Sequence, residues 1–117
     1  MTKKARLKKK LDNMQRDRSL AEHPMCEVCD KKQATTAHHF IPKSQSLYLR
    51  YDKRNLIPIC AGCHTKHHRA GDPAIHATIL AKRGHEWYQS LERDRHKLFK
   101  DTLANLKEIE EKLKEEG

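Results

Sequence analysis

Apolar residues recur along this chain with different rhythms, and each rhythm predicts a different kind of element. In residues 1–23, Leu7, Leu11 and Met14 fall at three- and four-residue spacing, and neither Gly nor Pro interrupts them before Pro24. That pattern puts the three side chains on one helical face and predicts a helix ending before the proline. Residues 24–72 lose the helical period, and ATTAHHF (34–40) and NLIPI (55–59) read as short strands. From Asp72 the helical pattern returns, with Asp72 as a cap, Pro73 in the first helical position and Gly84 as the stop. A longer helix is expected from near His85 to the C-terminus, its apolar positions being Leu91, Leu98, Phe99, Leu103, Leu106, Ile109 and Leu113. This seam fits packing against the N-terminal helix, and it can also pair two copies of the chain into a homodimer.

Three regions follow: a basic N-terminal helix over 1–23, a Cys- and His-rich core over 24–72, and a helical extension over 73–117. With 117 residues there is room for one compact domain and some helical extension. Only 36% of the residues are hydrophobic against 35% charged, so the core must be small, and small cores usually need a staple.

Cysteine spacing supplies that staple. Cys26-x-x-Cys29 and Cys60-x-x-Cys63 are two matched pairs with thirty residues between them. A CxxC turn brings two thiolates to one side of a metal, and two such turns complete a tetrahedral structural zinc site. The long interval means that a whole substructure loops out between the pairs. No signal-peptide pattern and no apolar run of membrane length is present, so the expected compartment is a reducing cytoplasm, where such pairs are metal ligands rather than disulfides. A redox role fits less well, because neither pair sits in a βαβ pattern.

Imidazoles crowd the same region. His38 and His39 are adjacent in a strand-like run, so their side chains point to opposite faces, and one can bind a metal while the other stays free as a base. His64 directly follows Cys63, and His68 lies four residues later on the same helical face, so both can converge on one ion. His67 points elsewhere. His23, His76, His85 and His96 sit on presumed helices without partners and read as ordinary surface residues.

The strings AHHFIPKS (37–44) and RNLIPICAGCHTKHH (54–68) resemble the signature of the HNH, or ββα-metal, endonucleases. Nuclease colicins have a similar His-His pair and helical His-x-x-x-His, and phage junction-resolving endonucleases have a similar four-cysteine clamp. The resemblance covers residues 24–70 and implies an α+β fold. Its ββα-metal core, a hairpin plus a short helix, would be stapled by the four-cysteine zinc site and flanked by the N-terminal helix and long C-terminal helices. It implies His38 as first metal ligand, His39 as general base, Asn55 as the central Asn that orients the base or its strand, His64 as second ligand and His68 as a third. It further implies a phosphodiester hydrolase, of phage-type nicking or structure-specific recombination character, that uses one catalytic divalent ion besides the structural zinc. The site has no carboxylate beside the base, and an all-imidazole ligand set favours softer ions, leaving Mg2+, Mn2+, Ni2+ and Zn2+ open. The expected setting is a bacterial cytoplasm or that of a phage-infected host.

Charge agrees with a polyanionic partner. The net charge is +9, with residues 1–20 contributing eight Lys/Arg against two Asp and residues 101–117 three Lys against six acids. Double-stranded or branched DNA would be gripped through Lys43, Arg50, Lys53, Arg54, Lys66 and Arg69 and through the basic N-terminus, all phosphate contacts with little sequence reading. Tyr48, Tyr51 and Trp87 are either stacking platforms or core residues, the latter being commoner. The rival from another class is a non-catalytic zinc-finger module that only binds nucleic acid. It uses the same cysteines and basic surface but gives no reason for His38, His39, Asn55 and His64 at these intervals.

Overall fold

The computed structural model describes residues 1–70 and 73–116, with side chains for all of these except 67–70. In chain order it comprises α1 (Lys3–Glu22), β1 (Thr36–His39), α2 (Leu47–Arg50), β2 (Leu56–Ile59), α3 (Ala61–Ala70), α4 (Pro73–Arg83), α5 (His85–Asp94) and α6 (Leu103–Glu116), with a 3-10 turn over Lys53–Asn55. Helices surround a two-stranded antiparallel hairpin, and four clustered cysteines sit at its end. This is the α+β, ββα-metal arrangement that the sequence predicts.

The hairpin registers Thr36 with Ile59, Ala37 with Pro58, His38 with Ile57 and His39 with Leu56. Every residue of β2 is buried, which is why its sequence, Leu-Ile-Pro-Ile, shows no polar alternation. Pro58 is tolerated because each strand of a two-stranded sheet has a free edge. Its carbonyl accepts from Glu27 N at 2.9 Å and ties the first CxxC turn to that edge. Around the hairpin gather Phe40, Ile41, Leu49, Ile57, Ile59, Ile75, Ile79 and Leu91 with three of the four cysteines, and Trp87, Tyr48 and Tyr88 close the margin. Tyr48 and Trp87 are thus half-buried packing residues at the margin of this core. At α4's end Gly84 takes φ 92°, a left-handed value suited to glycine, and its amide caps Leu80 O at 2.9 Å. The expected cap at Asp72 lies outside the described residues.

A second apolar cluster joins the two ends of the chain. Leu7, Leu11 and Met14 of α1 meet Leu106, Ile109 and Leu113 of α6, with Tyr51 and Phe99 at one end. The helices run parallel, since Lys4 and Lys8 pair with Asp101, Lys10 with Glu110 and Arg18 with Glu116. The seam that could have joined two copies of the chain is thus covered from within it.

The single long helix expected after His85 is broken. Leu91 faces the hairpin core while Leu106 and Leu113 face α1, and one straight helix cannot serve both. α5 stops at Asp94, whose carboxylate holds Arg54 at 2.8 Å and Lys97 at 3.1 Å. α6 restarts at Thr102, whose hydroxyl accepts from Asn105 N at 3.2 Å. In the connection Phe99 turns inward beside Tyr51, while Leu98, placed on the seam by periodicity, is 94% exposed.

Candidate active site

The four thiols are built by two local turns. In the first, Cys26 N donates to Lys32 O at 2.8 Å and Asp30 N to Cys26 O at 3.0 Å, with Asp30 in the left-handed region at φ 57°. In the second, Cys60 directly follows β2 and Cys63 lies in the first turn of α3, its amide 3.5 Å from Cys60 Sγ. All four Sγ atoms lie within 4.8 Å of one another, and Cys29 and Cys60 are 3.9 Å apart. Zinc–sulfur bonds of about 2.3 Å set the edge of a tetrahedron at roughly 3.8 Å, so the thiols fit a structural zinc ion. Backbone amides of Lys31 and Lys32 directed at Cys29 lower its pKa to about 6, while burial and the neighbouring thiols push Cys63 up to about 12. Four thiolates so close repel one another unless a cation neutralises them, and a bound dication reverses the penalty on Cys63.

α4 locks the first turn in place. Arg83 makes a two-pronged pair with Glu27, at 2.6 and 2.7 Å, and donates to Arg54 O and Leu56 O, both at 3.0 Å. Lys82 reaches Glu27 O at 2.6 Å and also bonds Asp30. The cysteines therefore fix β2 and α3, and with them the position of the next residue, His64.

His64 meets His38 there. Their ring centroids are 5.6 Å apart with planes at 64°, His38 standing on β1 opposite Ile57 with 8% of its surface exposed. Two imidazoles that share an ion at about 2.1 Å per nitrogen have centroids roughly 5 Å apart, so the ring spacing is of the order that a shared ion needs. His39 points off the other face of β1, where its Nε2 lies 2.9 Å from Arg50 O. A carbonyl only accepts, so Nε2 carries the proton and Nδ1 is left with the lone pair. Burial lowers the His39 pKa, against an opposing effect of the Arg50 carbonyl, which keeps the imidazole neutral at physiological pH. His38, His39 and His64 line one cavity of about 810 Å³ with Lys43 and, from α1, Asp12, Asn13 and Arg16.

Asn55 is fully buried and faces away from that cavity. Its Oδ1 accepts from Ile41 N at 2.7 Å, and its Nδ2 donates to Ile41 O at 2.9 Å and to Leu49 O at 3.3 Å. It thereby ties the segment from Ile41 to Leu49 onto the start of β2. Of the predicted phosphate contacts, Lys43 lies at the histidines. Arg50 is turned toward Asp12, which it holds at 2.7 and 3.2 Å. Arg54 is committed to Asp52 and Asp94, and Lys53 lies with it on a different face. Lys66 is exposed on α3, while the side chains of His68 and Arg69 lie outside the described residues. His76 stacks on Phe40 at 4.1 Å and stays apart from the cleft.

Sequence reasoning misses Asp12, Gln15 and Arg83. Asp12 has a signal, being one of two acids among the first twenty residues. Gln15 lies just outside the Leu7–Leu11–Met14 stripe, and Arg83 looks like an ordinary cation in a last helical turn. Residues 26–70 match the family model described as HNH endonuclease. No curated protein and no solved structure matches the chain. The matched segment runs from Cys26 through β1, β2 and all of α3, which spans both thiol turns and all three cleft histidines, and it supports a nuclease-type function and contact with nucleic acid. No described helix is long and apolar enough to cross a membrane.

Proposed function

We propose that this chain, whose residues 26–70 match the HNH endonuclease family model, is a metal-dependent DNA endonuclease in which His39 is the general base and His38 and His64 hold one divalent ion. The observation that carries the proposal is the His39 Nε2 hydrogen bond to Arg50 O in the same cleft as the His38–His64 ring pair. That bond selects the tautomer in which Nδ1 takes a proton from the attacking water, and a neutral imidazole is the form that can do so. An ion held by His38 and His64 would supply Lewis-acid polarisation of the phosphate and charge stabilisation for the leaving group. In-line attack leaves a 5′-phosphate and a 3′-hydroxyl. Lys43 and Arg16 both line the cleft and receive the flanking phosphates. Asn55 acts by holding the segment that carries Leu49 and Arg50. His68, one turn beyond His64, is assigned as a third ligand on helical spacing alone. An all-imidazole set takes Mn2+, Ni2+ or Zn2+ more readily than Mg2+.

In its finer form the proposal is nicking or structure-specific cleavage, the behaviour of phage-type recombination nucleases. One cleft per chain, with the helical seam covered, cuts one strand per encounter. The test compares wild type, His39→Ala and His38→Ala, zinc-loaded, on supercoiled plasmid and on branched DNA, with Mg2+, Mn2+ or Ni2+ and an EDTA control. Metal-dependent cutting by wild type, lost in both variants while DNA binding persists, is the expected result. A wild type that binds DNA and never cuts with any metal would make the chain a zinc-stapled nucleic-acid-binding module.

A further inference from the structure

The HNH match begins at Cys26, and α1 lies wholly before it. We propose that α1 is nonetheless part of the catalytic apparatus, with Asp12 and Gln15 as positioning residues that hold the carbonyl to which His39 is hydrogen-bonded. The inference rests on His39 being the base.

That carbonyl belongs to Arg50, the last residue of α2. α2 has four residues, too few to be stable by itself, and its final carbonyls have no partner within the helix. Something outside must fix them. Asn55 holds Leu49 O from the β2 side. The other side is held by α1 through two contacts one helical turn apart. Asp12 takes the Arg50 guanidinium in a two-pronged pair at 2.7 and 3.2 Å, and Gln15 donates its side-chain amide to Tyr51 O. Gln15 is only 2% exposed and its oxygen accepts from Arg18 at 2.5 Å, so a polar side chain has been placed in an apolar seam and fully partnered. The residues on either side of the peptide bond after Arg50 O are thus both anchored to α1.

A neutral imidazole distributes its proton between its two nitrogens unless a partner selects one. If Arg50 O drifts, Nε2 loses its acceptor, part of the His39 population carries the proton on Nδ1, and that fraction cannot take a proton from water. Gln15 lies outside the cleft, so its loss falls on kcat and leaves KM alone, whereas Asp12 also pairs with Lys43 at 3.4 Å and its loss reaches KM as well. Direct hydrogen-bond partners of a metal-ligating imidazole are worth roughly 10- to 100-fold in affinity or activity, and the same scale is expected where the acceptor of a catalytic imidazole is released.

The test uses the full-length, zinc-loaded chain carrying Asp12→Asn or Gln15→Met, each close in shape to the residue it replaces. Plasmid cleavage with Mn2+ gives kcat and KM, thermal melting reports the fold, and ¹⁵N NMR of the His39 ring at pH 8 reports the tautomer. The expected result is a kcat roughly 10- to 100-fold lower in both variants, with KM unchanged in Gln15→Met, and a ring spectrum moving from one tautomer to a mixture. Cleavage at the wild-type rate, a loss confined to KM, or an unmoved tautomer overturns the inference. If Gln15→Met melts, Asp12→Asn decides alone. Should wild type and His39→Ala both be inert, the nuclease reading fails, and the ring spectrum still shows whether α1 positions the imidazole.

Discussion

Replacing Asn55 with Ala separates two ways in which the central Asn of this motif could matter. The side chain is fully buried and makes three hydrogen bonds, to Ile41 N, Ile41 O and Leu49 O, at 2.7, 2.9 and 3.3 Å. Alanine leaves the buried Ile41 amide and carbonyl without partners, while Leu49 O keeps the Asp52 amide at 3.2 Å. Each of these two groups costs about 1–3 kcal/mol, so the expected loss is about 4 kcal/mol. Small domains have about 5–15 kcal/mol in all, so the variant folds but sits near its threshold. With a urea dependence of about 2 kcal/mol per molar, the unfolding midpoint falls by about 2 M. Urea denaturation by circular dichroism, at saturating zinc, measures that shift, and Mn2+ titration of the native fraction measures the ion site. A holding role predicts the large stability loss with the affinity of the remaining folded protein nearly unchanged. A midpoint within about 0.5 M of wild type together with a large drop in Mn2+ affinity would refute the reasoning, because Asn55 would then be a ligand. Asn55→Asp sharpens the contrast. It keeps the acceptor for Ile41 N but turns a carboxylate toward two carbonyl oxygens, so burial raises its folded-state pKa and its deficit grows as pH rises above about 4.

Arg83→Met removes the two-pronged pair to Glu27 and two bonds to backbone carbonyls, so stability drops by about 3 kcal/mol. Zinc is then lost faster to a chelator, measured with a chromogenic zinc dye; an unchanged release rate counts against the clamp. Burial raises the Asp12 pKa, but the hydrogen bond and charge of Arg50, aided by Lys43, outweigh it and the net shift is downward. The folded form therefore gains stability from this pair above the ordinary carboxyl pKa and loses it as pH falls through the lower folded value. Carboxyl ¹³C NMR should show Asp12 titrating below 3.8, and Arg50→Met should carry it upward; no movement would sever the link. Lys43→Ala should weaken binding across all DNA sequences and lower the salt slope by about one, whereas Lys53→Ala, on another face, should leave both unchanged in a fluorescence-anisotropy titration.

What the sequence discloses, and what it withholds, divides by range. Both thiol turns, the strand alternation at His38–His39 and the Pro73–Gly84 helix are set by spacings of a few residues, and each is legible. The break after Asp94 is not, because it depends on Leu91 and Leu106 facing different cores, and one-dimensional periodicity registers only that both are apolar. Charge misleads for the same reason. The excess of cations in residues 1–20 suggests a DNA-binding arm, yet Lys4, Lys8, Lys10 and Arg18 pair with acids at residues 101, 110 and 116. The opposite charges of the two termini hold the ends of one domain together, so they report on folding as much as on a partner. What α1 leaves turned toward the histidines is short and specific: Asp12, Asn13 and Arg16, with Gln15 buried behind them. A helix recruited only for bulk positive charge would not bury a glutamine and an arginine–carboxylate pair against the end of α2, where the His39 acceptor lies. That choice of residues makes sense if α1 is there to keep one imidazole in one orientation.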